Sequence, residues 1–179
     1  MTEIRMTIPD IHAAYVGGVS PRDLVKQVFA RIDAVGDPHI FIARASEDDA
    51  MAEATALGAF DVTKPLWGIP FVVKDNIDVA GYETTAACPA YAYTAEKDAF
   101  VVAQLRAAGA IFIGKTNMDQ FATGLVGVRT PYGAPLNAVD PKIVPGGSSG
   151  GSGVAVGHGI VPLSLGTDTA GSGRVPAAL

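Results

Sequence analysis

Apolar positions along the chain fall into two patterns that alternate. Leu24, Val28 and Ile32 sit at helical spacing behind Ser20-Pro21-Arg22-Asp23, a capping-box pattern with proline at the first helical position, so an amphipathic helix is expected there. Ile40-Phe41-Ile42-Ala43 reads as a short buried strand, and Ser46 with Asp49 is expected to cap a further helix through about Leu57. Leu66-Trp67-Gly68-Ile69-Pro70-Phe71-Val72-Val73 is a continuous apolar run of the kind that forms a core strand. It ends abruptly in Lys74-Asp75-Asn76, which places a lysine at the strand's end.

The alternation continues beyond it. Asp98 is expected to cap a helix through Val101, Val102 and Leu105 that stops at Gly109, and Ala110 to Ile113 forms the next strand. A polar, turn-rich region follows through Tyr132, Pro135, Asn137 and Pro141, and then a run of glycine and serine, Gly146 to Ser152. A short helix of small residues, Val154 to His158, and a strand, Val161 to Leu165, lead into Thr167-Asp168-Thr169-Ala170-Gly171-Ser172-Gly173-Arg174. Strand and helix in alternation predict an α/β fold. There is no internal repeat, low-complexity linker or domain boundary. No closing element precedes Leu179, so the sheet is expected to be incomplete at that end.

Composition narrows the function. With 179 residues, 49% hydrophobic and 17% charged, the chain suits one globular domain. Thirteen basic against eighteen acidic side chains leave a formal charge of -5, which argues against nucleic-acid and anionic-membrane partners and for a small-molecule one. The first residues lack a basic start with a long apolar stretch, and no apolar run is long enough to cross a bilayer. One cysteine, Cys88, cannot form an internal disulfide, so a cytoplasmic location is expected and Cys88 reads as a packing residue.

Two short motifs fail on context. Gly109-Ala110-Ile111-Phe112-Ile113-Gly114-Lys115-Thr116 matches the phosphate-loop pattern, but its span between the glycines reads as a strand after a helix, where a phosphate cradle needs a loop before a helix. Gly146-Gly147-Ser148-Ser149-Gly150 fits a nucleophile elbow around either serine, yet Pro145 stands where a strand should and only His158 follows. All three histidines, His12, His39 and His158, read as structural or exposed, and with one cysteine a metal site is not expected.

What remains is serine and lysine. A serine hydroxyl needs a base, and a lysine buried at a strand end can supply one, because desolvation lowers its pKa toward neutrality. Lys74 is placed for that role. The glycines around the serines free backbone N–H groups to converge on one point as an oxyanion hole, in which a single donor is worth on the order of 2.7–4 kcal/mol.

The segments VVKDNIDVAG, GKTNMDQFATG, PGGSSGGSGVAVGHG and LGTDTAGSGRVPA resemble, in order, those of the amidase signature family, from about Pro65 onward. The resemblance implies a mixed β-sheet core flanked by helices, with residues 1–179 forming the N-terminal portion of a single amidase signature domain. It implies a Ser-cisSer-Lys triad: Ser172 the acyl-forming nucleophile, Ser148 the relay serine and Lys74 the base. The amides of Thr169, Ala170, Gly171 and Ser172 would hold the oxyanion, and Ala122, Thr123 and Gly124 would line the pocket. Asp168 and Arg174 are expected to brace the loop, while Ser149, Ser152 and Asp75 serve as hydrogen-bonding scaffold. No cofactor is implied, and the full-length protein is expected to be a homo-oligomer.

Within the family, NMDQFATGLVGVRTPYGAPLN and GTDTAGSGRVPAA are most similar to allophanate hydrolase, which releases ammonia from N-carboxyurea during urea breakdown. The alternatives are the A subunit of the glutamyl- or aspartyl-tRNA amidotransferase, which glutamate at 120 and glycine at 170 would have favoured, and a general amidase. A reading of another class is a truncated, non-catalytic fragment. Groups that would bind the carboxylate of allophanate are expected beyond Leu179.

Overall fold

The computed structural model describes residues 3–179. In chain order its elements are α1 (Ile8–Val16), α2 (Pro21–Val35), β1 (Phe41–Arg44), α3 (Glu47–Ala56), β2 (Pro70–Lys74), β3 (Glu83–Thr84), β4 (Tyr93–Thr94), α4 (Phe100–Ala107), β5 (Ile111–Thr116), α5 (Gly150–Gly157), β6 (Leu163–Leu165) and α6 (Arg174–Ala178), with single 3-10 turns at Pro89–Tyr91 and Gln120–Ala122. Four strands form one mixed sheet in the order β1-β5-β2-β6. β1 runs antiparallel to β5, whereas β2 is parallel to both β5 and β6. β3 and β4 make a separate small hairpin. None of the described helices is long and apolar enough to cross a membrane.

The alternation of side chains along β2 explains the layering. Val72 packs with Ile111 and Ile113 of β5 under Val25, Val28 and Ile32 of α2, Met51 and Ala54 of α3, and Val154 and Ala155 of α5. Phe71 and Val73 point the other way and pack with Phe112 and with Val102 of α4. A third cluster, Ile11, Tyr15, Leu24, Trp67 and Ile69, ties α1 to the turn before β2. Here Tyr15 donates a 2.6 Å hydrogen bond to the Gly68 carbonyl.

Local chemistry sets the element ends. Ser20 caps α2 through a complete capping box with Asp23, and Gly36 closes the helix in the left-handed conformation. Ser46 accepts from the Asp49 N–H at the start of α3. Asp98, however, is not the cap of α4. Ala99 occupies that position, and the Asp98 carboxylate instead accepts from the Ala80 N–H at 2.8 Å and lies 3.5 Å from Arg106, so it ties the preceding loop to the helix's last turn. The apolar run from Leu66 becomes strand only at Pro70, and β5 runs on through Gly114, Lys115 and Thr116. β6 is shorter than expected, although Val161 before it is fully buried.

The largest difference lies in the glycine-serine run. α5 starts at Gly150, so the last three residues of that run lie in its first turn. Glycine is needed there for proximity: a Cβ on Gly151 would collide with the Ile40 carbonyl and stand 2.6 Å from the Asn117 nitrogen. The helix is pressed against the ends of β1 and β5, and the serines ahead of it are held at the same edge.

Candidate functional site

Three parallel strands deliver the site. Lys74 is the last residue of β2 and is fully buried. Its Nζ donates to Ser148 Oγ at 2.7 Å and to Thr167 Oγ1 at 2.7 Å. Asn76 Nδ2 donates to the same threonine hydroxyl at 3.2 Å. Burial pushes the Lys74 amine down to about 8, against the opposing pull of the Asp119 and Asp168 charges. A lysine in that state exchanges its proton near neutral pH, which an exposed lysine does not.

Ser148 is fully buried just before α5, and the Gly147–Ser148 peptide is cis. Its carbonyl accepts from the Asp119 N–H at 3.0 Å. The next residue, Ser149, donates its N–H to the Ser172 carbonyl at 3.0 Å, so the two serine segments lie side by side. Ser149 Oγ also accepts from the Thr167 N–H and donates to the Thr167 carbonyl, each at 3.3 Å. Ser172 is 6% exposed, and among the described residues its hydroxyl makes no hydrogen bond. Lys74 and Ser148 are thus in direct contact, while Ser172 is fastened beside them through its backbone.

The loop from Asp168 to Arg174 is shaped by one carboxylate. Asp168 accepts from the N–H groups of Gly171 (2.7 Å), Gly173 (3.1 Å) and Arg174 (2.9 Å), and from the Arg174 guanidinium at 2.9 Å through both Nε and Nη2. The Arg174 guanidinium first, and these amides with it, hold the Asp168 carboxyl far below its usual range. With the Gly171 N–H so engaged, the amides of Thr169, Ala170 and Ser172 carry no hydrogen bond among the described residues. Gly171 has φ of 117°, which a side chain would strain.

Of the expected pocket residues, Ala122 closes the Gln120–Ala122 turn with φ of 56°, beside Phe121 at 51°. Thr123 lines an open hollow with Gln120, Phe121, Arg129, Thr130 and Pro131. Gly124 has no room for a Cβ, which would meet Asp119 Oδ2 at 2.9 Å. Gln120 Nε2 donates to the Ala87 carbonyl at 3.0 Å, and the Phe121 N–H donates to that of Ala86 at 3.0 Å, so the turn is bound to the segment after β3.

Ser152 and Asp75 do scaffold work. Ser152 Oγ donates to the Leu165 carbonyl and meets Thr116 Oγ1 at 2.7 Å. Asp75 accepts from Thr85 and Ala87 and faces Lys115 at 3.7 Å, both partners fully buried. Lys115, the lysine of the phosphate-loop look-alike, therefore points into the core. Among the described residues no histidine hydrogen-bonds to Ser148 or Ser172: His12 packs edge-on against Phe60, His39 pairs with the Tyr132 carbonyl, and His158 caps the end of α5.

Two residues of the site escaped the sequence reading. Thr167 follows β6, which runs parallel to β2, so a hydroxyl just past one strand end meets a lysine at the other. Only the tertiary pairing of the two strands brings them together. Asp119 lies inside a polar stretch that reads only as loop, and nothing local marks it as buried.

Known proteins resemble this chain in sequence and in fold. The amidase family profile matches residues 23–179. Urea amidolyase of Saccharomyces cerevisiae is 65% identical over 117 residues, 65% of this chain and 6% of that protein. The A subunit of the glutamyl-tRNA(Gln) amidotransferase of Deinococcus radiodurans is 44% identical over 170 residues, 93% of this chain and 35% of that protein. Among solved structures, Kluyveromyces lactis allophanate hydrolase superposes with a TM-score of 0.85 at 45% identity, over 97% of this chain and 29% of that one. The chain spans well under half the length of each of these relatives. With the family profile covering nearly all of it and the fold shared with these enzymes, the chain belongs to the amidase family.

Proposed function

We propose that this chain carries the catalytic centre of an amide hydrolase whose substrate is allophanate. Neutral Lys74 takes the proton of Ser148 Oγ as Ser148 takes that of Ser172. Ser172 Oγ attacks the amide carbonyl, and the amides of Thr169, Ala170, Gly171 and Ser172 face the resulting oxyanion. The Gly171 N–H would have to leave Asp168 or share its proton to take part. Collapse expels ammonia with the relayed proton, and water then releases the acid and restores the serine. The observation that carries this reading is the buried 2.7 Å contact from Lys74 Nζ to Ser148 Oγ, with the amine pushed down to about 8.

Allophanate as substrate is supported by the likeness to urea amidolyase and allophanate hydrolase. Gln120 adds to it: its amide donates to the Ala87 carbonyl, a contact that a glutamate carboxylate at this position could not make. The test is ammonia release from allophanate, malonamate and simple amides, alongside labelling by a fluorophosphonate probe. Allophanate should be the best substrate, and Ser172→Ala should abolish labelling. Labelling that persists in that variant, or a folded protein inert toward every amide, overturns the proposal. The similarity to the glutamyl-tRNA(Gln) amidotransferase A subunit over 93% of the chain supports a second reading, ammonia release from glutamine, which the same assay detects with glutamine among the amides tested.

A further inference from the structure

We propose that Asp119 is a positioning residue of this centre, a buried carboxylate that locks the Ser148 peptide to the loop at 124–129 and supplies the negative charge that Lys74 works against. The inference rests on Lys74 acting as the base.

Asp119 is fully buried, and its carboxylate meets no cation within ion-pair distance among the described residues. Its oxygens accept from two backbone N–H groups, Oδ1 from Arg129 at 2.7 Å and Oδ2 from Gly127 at 3.0 Å. Its own N–H donates to the Ser148 carbonyl, and its carbonyl accepts from the Ala122 N–H at 2.9 Å. One residue thus grips the relay serine's peptide on one side and the expected pocket lining on the other. The fit is tight: a Cβ on Gly147 would collide with Asp119 Oδ2. Glycine at 147 is what lets the carboxylate lie against the Gly147–Ser148 peptide.

The electrostatics follow from the placement. Two acidic groups act on Lys74, Asp119 from the loop after β5 and Asp168 from the loop after β6. Its other partners, Ser148 and Thr167, are uncharged, as is Asn76 beside them. Lys115 and Asp75, on the neighbouring strand and at the end of β2, face each other. Asp168 is a quarter exposed and is already neutralised by Arg174, so salt and water screen it. Asp119 is the unscreened charge. It keeps the buried amine from losing its proton too readily, so that Lys74 can both take a proton and return it to the leaving group.

The experiment measures the rate of fluorophosphonate labelling of Ser172 against pH in the wild type and in Asp119→Asn, a substitution of equal size without the charge. The acid limb of the profile should move to lower pH by about half a unit or more, because the neutral amine then persists in more acid solution. The plateau should fall by roughly tenfold, since the asparagine side chain offers one acceptor oxygen where two N–H groups need partners. A folded Asp119→Asn with an unmoved limb overturns the inference. Should that variant not fold, the wild type decides: the limb should stay fixed between low and high salt, and a limb that shifts as exposed charges do assigns control to Asp168. Labelling that survives Ser172→Ala would instead sink the proposed nucleophile, and with it the reading of the site on which this inference rests.

Discussion

Thr167 Oγ1 accepts a 2.7 Å hydrogen bond from Lys74 Nζ, and the two residues stand at the ends of adjacent parallel strands. The lysine therefore rests on two hydroxyls, one of them the expected relay. Replacing Thr167 by Val keeps the shape and removes the second acceptor. A hydrogen bond to a charged group contributes about 1.5–3 kcal/mol, so labelling of Ser172 should slow by roughly tenfold or more, measured as a second-order rate with the probe. An unchanged rate would show that Ser148 alone holds the amine.

Lys74 sets a trade between stability and activity. Its pKa of about 8 in the fold lies below the ordinary 10.5, so the unfolded chain binds more protons between those values. Stability from this group therefore rises as pH climbs from about 8 to 10.5 and is lost again as pH falls back through that window. Lys74→Met removes the buried amine and should abolish labelling while leaving thermal unfolding at pH 7 unchanged or raised. The gain corresponds to roughly 3 kcal/mol at most. A clear drop in the unfolding temperature would mean that the hydroxyl contacts outweigh the cost of burying the charge.

Lys115 should behave as a structural residue. Removing it leaves Asp75 as an uncompensated buried carboxylate, one of whose oxygens already lacks a hydrogen-bond partner. Lys115→Met is expected to cost about 3–5 kcal/mol, read by denaturant unfolding. The double variant with Asp75→Asn should recover part of that loss, since Asn can still accept from the Thr85 and Ala87 amides. Calorimetric titration with a nucleoside triphosphate should show no binding, and binding would restore the phosphate-loop reading.

Neighbouring glycines of α5 should respond with opposite signs. Gly151→Ala drives a methyl into the Ile40 carbonyl and the Asn117 nitrogen, and overpacking of that kind costs about 1–3 kcal/mol. Gly150→Ala finds its nearest atom at 3.6 Å, an ordinary contact. As a glycine within a helix it should gain roughly 0.5–1 kcal/mol on replacement. Thermal unfolding of the two variants checks both signs.

These residues also show where sequence is legible. The N-cap serines and the alternation of apolar runs identify α2, α3, β2 and β5, because those signals lie within a few residues of what they determine. Asp98 looks like a cap by the same rules, but its carboxylate finds the Ala80 N–H, a partner that only tertiary structure supplies. Glycine at 150 and 151 reads as loop because propensity ignores proximity, and proximity to β1 and β5 is what places a helix there. Lys74 is readable as a candidate base from its strand end and the glycine-serine segments as a candidate site, but the choice of Ser148 and Ser172 among the serines rests on the family resemblance. Thr167 and Asp119 act across the fold, and no local pattern points from either one to Lys74.

The strand order β1-β5-β2-β6 has a consequence for when the site can exist. Lys74 belongs to a middle strand, but Ser148 lies 74 residues later and Thr167 lies 93 residues later, so the lysine's partners are far apart in the order of synthesis. Until β6 zips onto β2, the lysine at the end of β2 has no threonine to rest on. A growing chain therefore completes the Lys74 contacts late, after most of the sheet that restrains them, and a chain halted before β6 lacks both the Thr167 partner and Ser172.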